Sequence, residues 1–150
     1  MALNPDFIGR TYPPSEPYLV GREKIREFAR AIGDVNPAYH EVAAAQGLGY
    51  ADVVAPPTFA FTFVFASTEV VVMDPDLGLD YTKVVHGEES FSYSRPIVAG
   101  DELVVINTIE NIRAAAGNDM ITVKSTVSTT SGEPVVVTSM VIVARGTDAQ

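Results

Sequence analysis

The sequence predicts one α+β domain in which a curled antiparallel sheet wraps around a long central helix. An apolar stretch at residues 59–73 is long enough for about four helical turns. Four strand-like runs follow it, separated by turn residues. The chain has 150 residues, of which 47% are apolar, which suits a single domain with a sizeable core. A sheet that is apolar on one face must cover it, and wrapping that face around an apolar helix buries both.

The region before this stretch predicts short elements and one amphipathic helix. Residues 16–20 can form a short strand, and a helix opens after Gly21. Apolar residues at i, i+3, i+4 and i+7 give that helix one buried stripe, formed by Ile25, Phe28, Ala29 and Ile32. Gly33 is a suitable C-terminal stop. A short helical piece is expected at residues 41–46.

The central helix is predicted over residues 58–72. Pro56 and Pro57 suit its start, where a missing N–H costs nothing. The stretch is apolar almost all round, which indicates burial on most sides. Its β-branched and aromatic residues also suit a strand, but its length and the proline start favour a helix.

The second half of the chain is strand-like. Strands are expected at residues 83–97, 102–112, 120–130 and 135–144. Turns are expected at residues 100–101, 117–119 and 131–133, because glycine and asparagine cluster there. This order predicts an antiparallel meander.

Composition excludes several classes of function. The formal net charge of −9 disfavours nucleic acids and anionic membranes as partners, and no apolar run reaches the roughly 18 residues of a membrane span. The sequence contains no cysteine, which excludes a disulfide framework, thiolate catalysis and Cys-ligated zinc and fits a cytoplasmic location.

Four basic residues lie close together among two glutamates, either as a solvated helix face or as a patch for a phosphorylated carrier. They are Arg22, Lys24, Arg26 and Arg30.

The turn after the first helix carries residues suited to chemistry. It places Asp34, Asn36 and His40 on irregular backbone. An aspartate and a histidine brought together can perform general acid–base catalysis. Asp34 and Asn36 can equally form a capped turn, a role that suits both residue types. Spacing alone leaves both interpretations open.

Two further places are candidates. His86 precedes Gly87 at the start of a long strand, and it is either a site histidine or a strand-end histidine bonded to a carbonyl. Together with Asp34, Glu88 and Glu89 it has no ligand spacing that supports a metal site, so none is predicted. At the start of the central helix, Thr58 and the residues after it could offer N–H groups to an anionic oxygen. Pro56 and Pro57 have no N–H to donate, which weakens the interpretation of this helix start as an oxyanion-binding site.

Residues 28–40 resemble the hydratase motif of the MaoC-like enoyl-thioester hydratases, G-D-x-N-P-x-H. Gly33, Asp34, Asn36 and Pro37 match it. The resemblance implies the hot-dog fold and a catalytic pair of Asp34 and His40. The chain departs from the motif in one respect, since Tyr39 stands at the position of the family's histidine and His40 follows one residue later.

A narrower resemblance covers nearly the whole chain. Residues 22–28, 55–59, 85–88 and 95–101 are similar to the substrate-binding subunit of (3R)-hydroxyacyl-carrier-protein dehydratases of the fatty-acid-synthase-like MaoC group. In that group the catalytic pair resides on a partner subunit. The resemblance implies an acyl-carrier-protein or coenzyme A thioester as substrate, no cofactor, and a homodimer or a heterodimer with a MaoC-like subunit. The substrate-binding residues expected from it are Asn36, Tyr39, Pro57, Thr58 and His86.

Three functions therefore stand at this point. The first is a subunit of a (3R)-hydroxyacyl-thioester dehydratase or trans-2-enoyl-thioester hydratase. The second is a non-catalytic acyl-binding subunit that stabilises a catalytic partner. The third is a hot-dog thioesterase, for which Glu69 is the only acid in the central helix. Because such a sheet leaves an open edge, at least a dimer is expected.

Overall fold

One antiparallel sheet of five strands organises the molecule in the computed structural model, which describes residues 3–146. The spatial order is β1-β3-β4-β5-β2. The strands are β1 (Tyr18–Leu19), β2 (Val84–Tyr93), β3 (Glu102–Ala115), β4 (Asn118–Thr129) and β5 (Pro134–Ala144).

The helices lie on the inner face of this sheet and at one end of it. They are α1 (Arg22–Ala31), α2 (Val42–Gly47), α3 (Phe61–Ser67) and α4 (Glu69–Val72). Short 3-10 turns occur at Pro5–Phe7, Pro37–Tyr39 and Tyr81–Lys83. The buried residues of α1 are Ile25 and Ala29, as its periodicity predicts. Ile32 is 50% exposed, contrary to prediction, because α1 ends at Ala31 and the chain then turns away at Gly33 with φ +73°.

The central helix departs from the prediction in its start and its continuity. It begins at Phe61 rather than Thr58, and Thr68 separates α3 from α4. Three hydroxyls donate to carbonyls three residues earlier, a pattern that bends helices. These pairs are Thr62 to Phe59, Ser67 to Val64 and Thr68 to Phe65, at 2.8, 2.7 and 2.7 Å.

The burial of this segment is also one-sided. Phe59, Val64 and Val71 are fully buried. Val70 and Met73 are 46% and 57% exposed, so one face of the segment is open, in contrast to the predicted burial on most sides. The segment contributes side chains to two buried hydrophobic clusters. One cluster surrounds Phe59 near α1, and the other surrounds Val71 at the opposite end of the segment.

The predicted meander holds for β3, β4 and β5 but not for β2. β2 pairs with β5, so residues 100–101 are not a hairpin between β2 and β3. β2 also ends at Tyr93 rather than at residue 97. Arg95 explains part of this ending. Its guanidinium contacts Asp101 and Glu133, each at 2.8 Å, and these contacts fix the connection from β2 to β3.

The connection between β3 and β4 is tighter than predicted. β3 runs to Ala115 and β4 begins at Asn118, so only Ala116 and Gly117 form the turn. Both have positive φ, 50° and 77°. This is the backbone of a two-residue hairpin turn, whose twist matches that of the strands it joins.

A buried carboxyl group lies on the inner face of β2. Both carboxyl oxygens of Glu89 are buried, and no residue in the described range 3–146 forms a hydrogen bond with them. Its neighbour across the ladder is Met140, which is uncharged. Burial raises the pKa of Glu89 from 4.5 to about 7, because an apolar environment disfavours the charged form.

This carboxyl group is expected to make stability depend on pH. The folded protein keeps the Glu89 proton up to about pH 7, whereas the unfolded chain loses it above about pH 4.5. The free energy of unfolding should therefore fall as pH rises through this window and level off above it. Glu89→Gln cannot ionise, so its melting temperature should exceed that of the wild type by a few degrees at pH 8 and lose this advantage near pH 4.5. Parallel pH profiles of thermal unfolding for the two proteins would contradict this assignment.

Candidate active site

The turn after α1 is a compact structure held by its own side chains. The Asp34 amide donates to the Ala29 carbonyl at 2.9 Å as the chain leaves α1. The Asp34 carboxylate accepts from the Asn36 amide at 3.0 Å. The Asn36 side chain in turn accepts from the Ala38 amide at 3.0 Å. Both side chains thus form the capped turn that is one of the two interpretations open from the sequence.

His40 lies against this turn. Its Nε2 is 3.0 Å from the main-chain oxygen of Asp34. A carbonyl oxygen only accepts, so Nε2 carries the proton in this contact. Arg26 donates to the His40 carbonyl at 2.8 Å, which fixes the backbone as well. The fold therefore brings Asp34 and His40 together, but through the main chain of Asp34 rather than through its carboxylate.

A cavity of about 330 Å³ opens beside the turn. Its walls come from the turn, the α2 region, the segment before α3, and the end of β2. The lining residues are Asn36, Ala38, Tyr39, Leu48, Tyr50, Val54, Ala55, Pro57, Tyr93 and Pro96. Three of the predicted substrate-binding residues, Asn36, Tyr39 and Pro57, are among them. Asp34, His40, Thr58 and His86 are not.

Tyrosines supply most of the polar character of this cavity. The Tyr93 hydroxyl donates to the Pro57 carbonyl at 2.7 Å, and burial raises the pKa of Tyr93 to about 12. The pKa of Tyr39 is also raised, first by burial and then by the nearby Asp34 and Tyr50. These phenols are therefore neutral hydrogen-bonding groups near pH 7, not bases. Tyr50 and Tyr93 were missed in the sequence, because no local spacing links them to the turn.

Three of the amides at the start of the central helix are already used in hydrogen bonds. The amides of Phe59, Phe61 and Thr62 already donate to carbonyls, at 2.9, 3.1 and 3.0 Å. Thr58 is exposed and does not line the cavity. The predicted role of this helix start as an oxyanion-binding site therefore rests on the amides of Thr58 and Ala60, which have no carbonyl acceptor among the described residues.

His86 lies apart from the cavity, on the inner face of β2. It is exposed, and its ring centroid is 5.8 Å from that of Phe61 and 5.1 Å from that of Phe65. It therefore sits beside the open edge of the sheet rather than beside Tyr39. Within residues 3–146, no three His, Asp or Glu side chains cluster in a way that could hold a metal ion.

The basic residues of α1 are largely neutralised by acids. Arg22 binds Asp52 at 2.7 Å, Lys24 approaches Glu27 at 3.4 Å, and Arg26 pairs with Glu23. The solvated-face interpretation therefore fits better than a patch for a phosphorylated carrier. None of the helices within residues 3–146 combines the length and the hydropathy of a membrane-spanning helix.

Residues 6–138 match the family described as the FAS1-like, dehydratase domain region. The chain belongs to this family. Among relatives of this FAS1-like dehydratase-region protein, a UPF0336 protein of Streptomyces avermitilis is 55% identical over 148 residues, covering 99% of both chains.

Solved structures agree on the fold. A MaoC-like dehydratase superposes with a TM-score of 0.87 at 41% identity over 95% of this FAS1-like chain. The match covers 43% of that chain, so the protein spans less than half of its length. A chain of the HadBC (3R)-hydroxyacyl-ACP dehydratase complex of Mycobacterium tuberculosis superposes with a TM-score of 0.76 at 31% identity, over 92% of this chain and 97% of that one. The FAS1-like protein therefore has the hot-dog fold, as predicted.

Proposed function

We propose that this protein is a subunit of a (3R)-hydroxyacyl-thioester dehydratase, or trans-2-enoyl-thioester hydratase, of fatty-acid metabolism. In this proposal its cavity binds the acyl thioester, and a MaoC-like partner subunit supplies the acid–base pair. One observation carries the proposal, namely that Tyr39 lines the cavity while His40 is turned toward the Asp34 carbonyl.

The chemistry of this reaction explains why the orientation of His40 is decisive. Dehydration removes a proton from the carbon beside the thioester carbonyl and protonates the departing hydroxyl on the next carbon. Both transfers need a group within hydrogen-bond reach of the substrate. Here Nε2 of His40 and the Asp34 carboxylate are both engaged within the turn, while Tyr39 and Tyr93 are neutral phenols. The cavity is better suited to binding than to proton transfer.

The related complex supports an assembly of more than one subunit. HadBC is named as a (3R)-hydroxyacyl-ACP dehydratase and as a complex. The present chain also corresponds to under half of a longer MaoC-like dehydratase chain. We therefore propose an acyl-carrier-protein or coenzyme A thioester as the substrate and a second MaoC-like subunit as the partner. Elimination beside a thioester needs an acid and a base, so the proposal includes no cofactor.

A second candidate is catalysis by Asp34 and His40 within this chain. The observation that favours it is their proximity, because the His40 ring already contacts the Asp34 main chain at 3.0 Å. A thioesterase is not supported by a comparable observation. Glu69 is exposed at the start of α4, and it borders surface grooves beside the helix rather than the cavity.

The binding role of the cavity can be tested at Tyr39. Tyr39→Ala is expected to weaken crotonyl-thioester binding about tenfold, because a partly buried aromatic wall of the cavity is lost. Isothermal titration with crotonyl-CoA and crotonyl-acyl-carrier protein measures the change and separates the two carriers. Tyr81→Ala is the matched control, since Tyr81 is 47% exposed and lies outside the cavity. Equal losses in both variants, or none in either, would count against the cavity as the thioester site.

A further inference from the structure

The cavity beside the turn contains more hydrogen-bonding groups than a plain hydrocarbon chain can use. Asn36, Tyr39 and Tyr50 are among its lining residues. The Asn36 side-chain oxygen accepts from the Ala38 amide at 3.0 Å, which leaves the side-chain nitrogen as a donor. Within residues 3–146, no group forms a hydrogen bond with that nitrogen or with the hydroxyls of Tyr39 and Tyr50. Three donors at this cavity are therefore available to a ligand.

The rest of the cavity wall is apolar or already satisfied. The Tyr93 hydroxyl donates to the Pro57 carbonyl at 2.7 Å, so its proton is in use. None of the described residues that line the cavity carries a charge. Burial, followed by the nearby Asp34 and Tyr50, raises the pKa of Tyr39, so its phenol stays neutral near pH 7. The cavity thus offers neutral donors on an apolar wall, which suits a neutral oxygen better than a carboxylate or a phosphate.

These donors make the cavity a poor site for a saturated alkyl chain. Asn36 is exposed and both tyrosines are partly exposed, so solvent reaches the three residues in the free protein. An alkyl chain that filled the cavity would exclude solvent and offer no hydrogen bond in exchange, which costs free energy. A chain that carries an oxygen accepts a hydrogen bond and avoids this cost. Sites that hydrogen-bond a ligand oxygen discriminate strongly against analogues that lack it.

The proposed function decides which part of the substrate meets these donors. In that proposal the partner subunit supplies the acid and the base, so the two carbons at which water is eliminated must lie beside the partner. The acyl chain beyond those carbons is the part that remains for the cavity of this subunit. At about 330 Å³ the cavity is near the small end of ligand sites, which suits a short or medium-length chain.

We propose that the cavity selects acyl thioesters whose chain carries a neutral oxygen, as a hydroxyl or keto group, beyond the reacting carbons. Tyr39 and Tyr50 are the specificity-determining residues, and their hydroxyls donate to that oxygen. The side-chain nitrogen of Asn36 supplies a third donor. This inference rests on the proposed function and deepens it, because it names the class of substrate that the thioester site takes.

Hexanoyl-CoA and its oxygenated derivatives test this selectivity on the full chain. A hydroxyl or keto oxygen is moved along the chain from carbon four to carbon six, which scans the reach of the donors without lengthening the chain. In isothermal titration, at least one derivative is expected to bind about tenfold more tightly than hexanoyl-CoA, roughly the effect of one hydrogen bond. The keto series can only accept, whereas the hydroxy series can also donate, so the two series separate these kinds of oxygen.

Phenylalanine variants test whether the tyrosine hydroxyls cause the preference. Tyr39→Phe and Tyr50→Phe remove the hydroxyl and keep the ring. Each is expected to weaken binding of the preferred oxygenated thioester about tenfold and to leave hexanoyl-CoA binding unchanged or tighter. A role of the rings in packing alone would change both ligands alike. Tyr81→Phe is the matched control, since Tyr81 is 47% exposed and lies outside the cavity.

The possible failures of this inference and of the proposed function can be told apart. Equal affinity for hexanoyl-CoA and every derivative, with binding still weakened by Tyr39→Ala, would overturn the inference and leave the thioester site standing. An effect of Tyr81→Phe as large as that of the cavity variants would also overturn it. Absence of binding for every one of these thioesters would overturn the inference and the proposed site together. If a phenylalanine variant folds poorly, the comparison of ligands on the wild type still decides.

Discussion

Hydration of a crotonyl thioester by this chain is expected to rise about 10²–10⁴-fold when a MaoC-like subunit with an intact Asp/His pair is added. This factor is the usual contribution of general acid–base catalysis, which the chain alone lacks if Tyr39 occupies the place of the motif's histidine. The measurement is the initial rate at which the ultraviolet absorbance of the conjugated enoyl thioester is lost, for each subunit alone and for the mixture.

Variants of the turn decide which subunit supplies the acid and the base. His40→Ala should change the rate of the assembled enzyme less than about threefold if the partner supplies both groups. His40→Gln retains a donor for the Asp34 carbonyl, so it controls for loss of the contact that holds the turn. Asp34→Asn retains an oxygen that accepts from the Asn36 amide and should fold normally. Robust hydration by the lone chain, lost by about 10²-fold or more in His40→Ala, would instead assign catalysis to this subunit.

Phe59→Ala is expected to lower the free energy of unfolding by about 3–5 kcal/mol. Phe59 is fully buried between the sheet and α1, and its ring packs edge-on against Phe28 at 5.7 Å. The ring centroid of Phe63 lies 6.2 Å from that of Phe59. Removing the ring leaves a cavity that these neighbours can fill only in part. Urea denaturation followed by circular dichroism measures the loss.

Val70→Ala is the control for this core substitution. Val70 lies on the same central helical segment but is 46% exposed, so its truncation should cost less than about 1 kcal/mol. Phe59→Ala should also weaken thioester binding, because Pro57, two residues earlier, lines the cavity. Similar losses of stability in the two variants would mean that the packing around Phe59 is not the main support of the helix.

The local elements were predictable because their causes are local. The i, i+3, i+4 spacing of Ile25, Phe28 and Ala29 defined α1, and strand-like runs between turn residues located β3, β4 and β5. Glycine-containing turns marked the ends of these strands to within a few residues. The hydratase-like turn was also visible, since Gly33, Asp34, Asn36 and Pro37 are consecutive or nearly so.

The neighbours of each element were decided only in the folded molecule. Nothing in the spacing of β2 shows that it pairs with β5 rather than β3, because pairing depends on the path of residues 94–101. The break at Thr68 depends on hydroxyls that compete for helical carbonyls, and helix propensity does not record this competition.

The sequence by itself determined the fold class, the position of the turn and the presence of Asp34, Tyr39 and His40 within it. Only the tertiary structure decided that Tyr39 faces the cavity while His40 faces the Asp34 carbonyl. It also brought Tyr50 and Tyr93 to the same cavity from distant parts of the chain. The physical reason is that side-chain direction on an irregular turn follows from its backbone hydrogen bonds and from what packs against it, and both depend on residues far away in sequence.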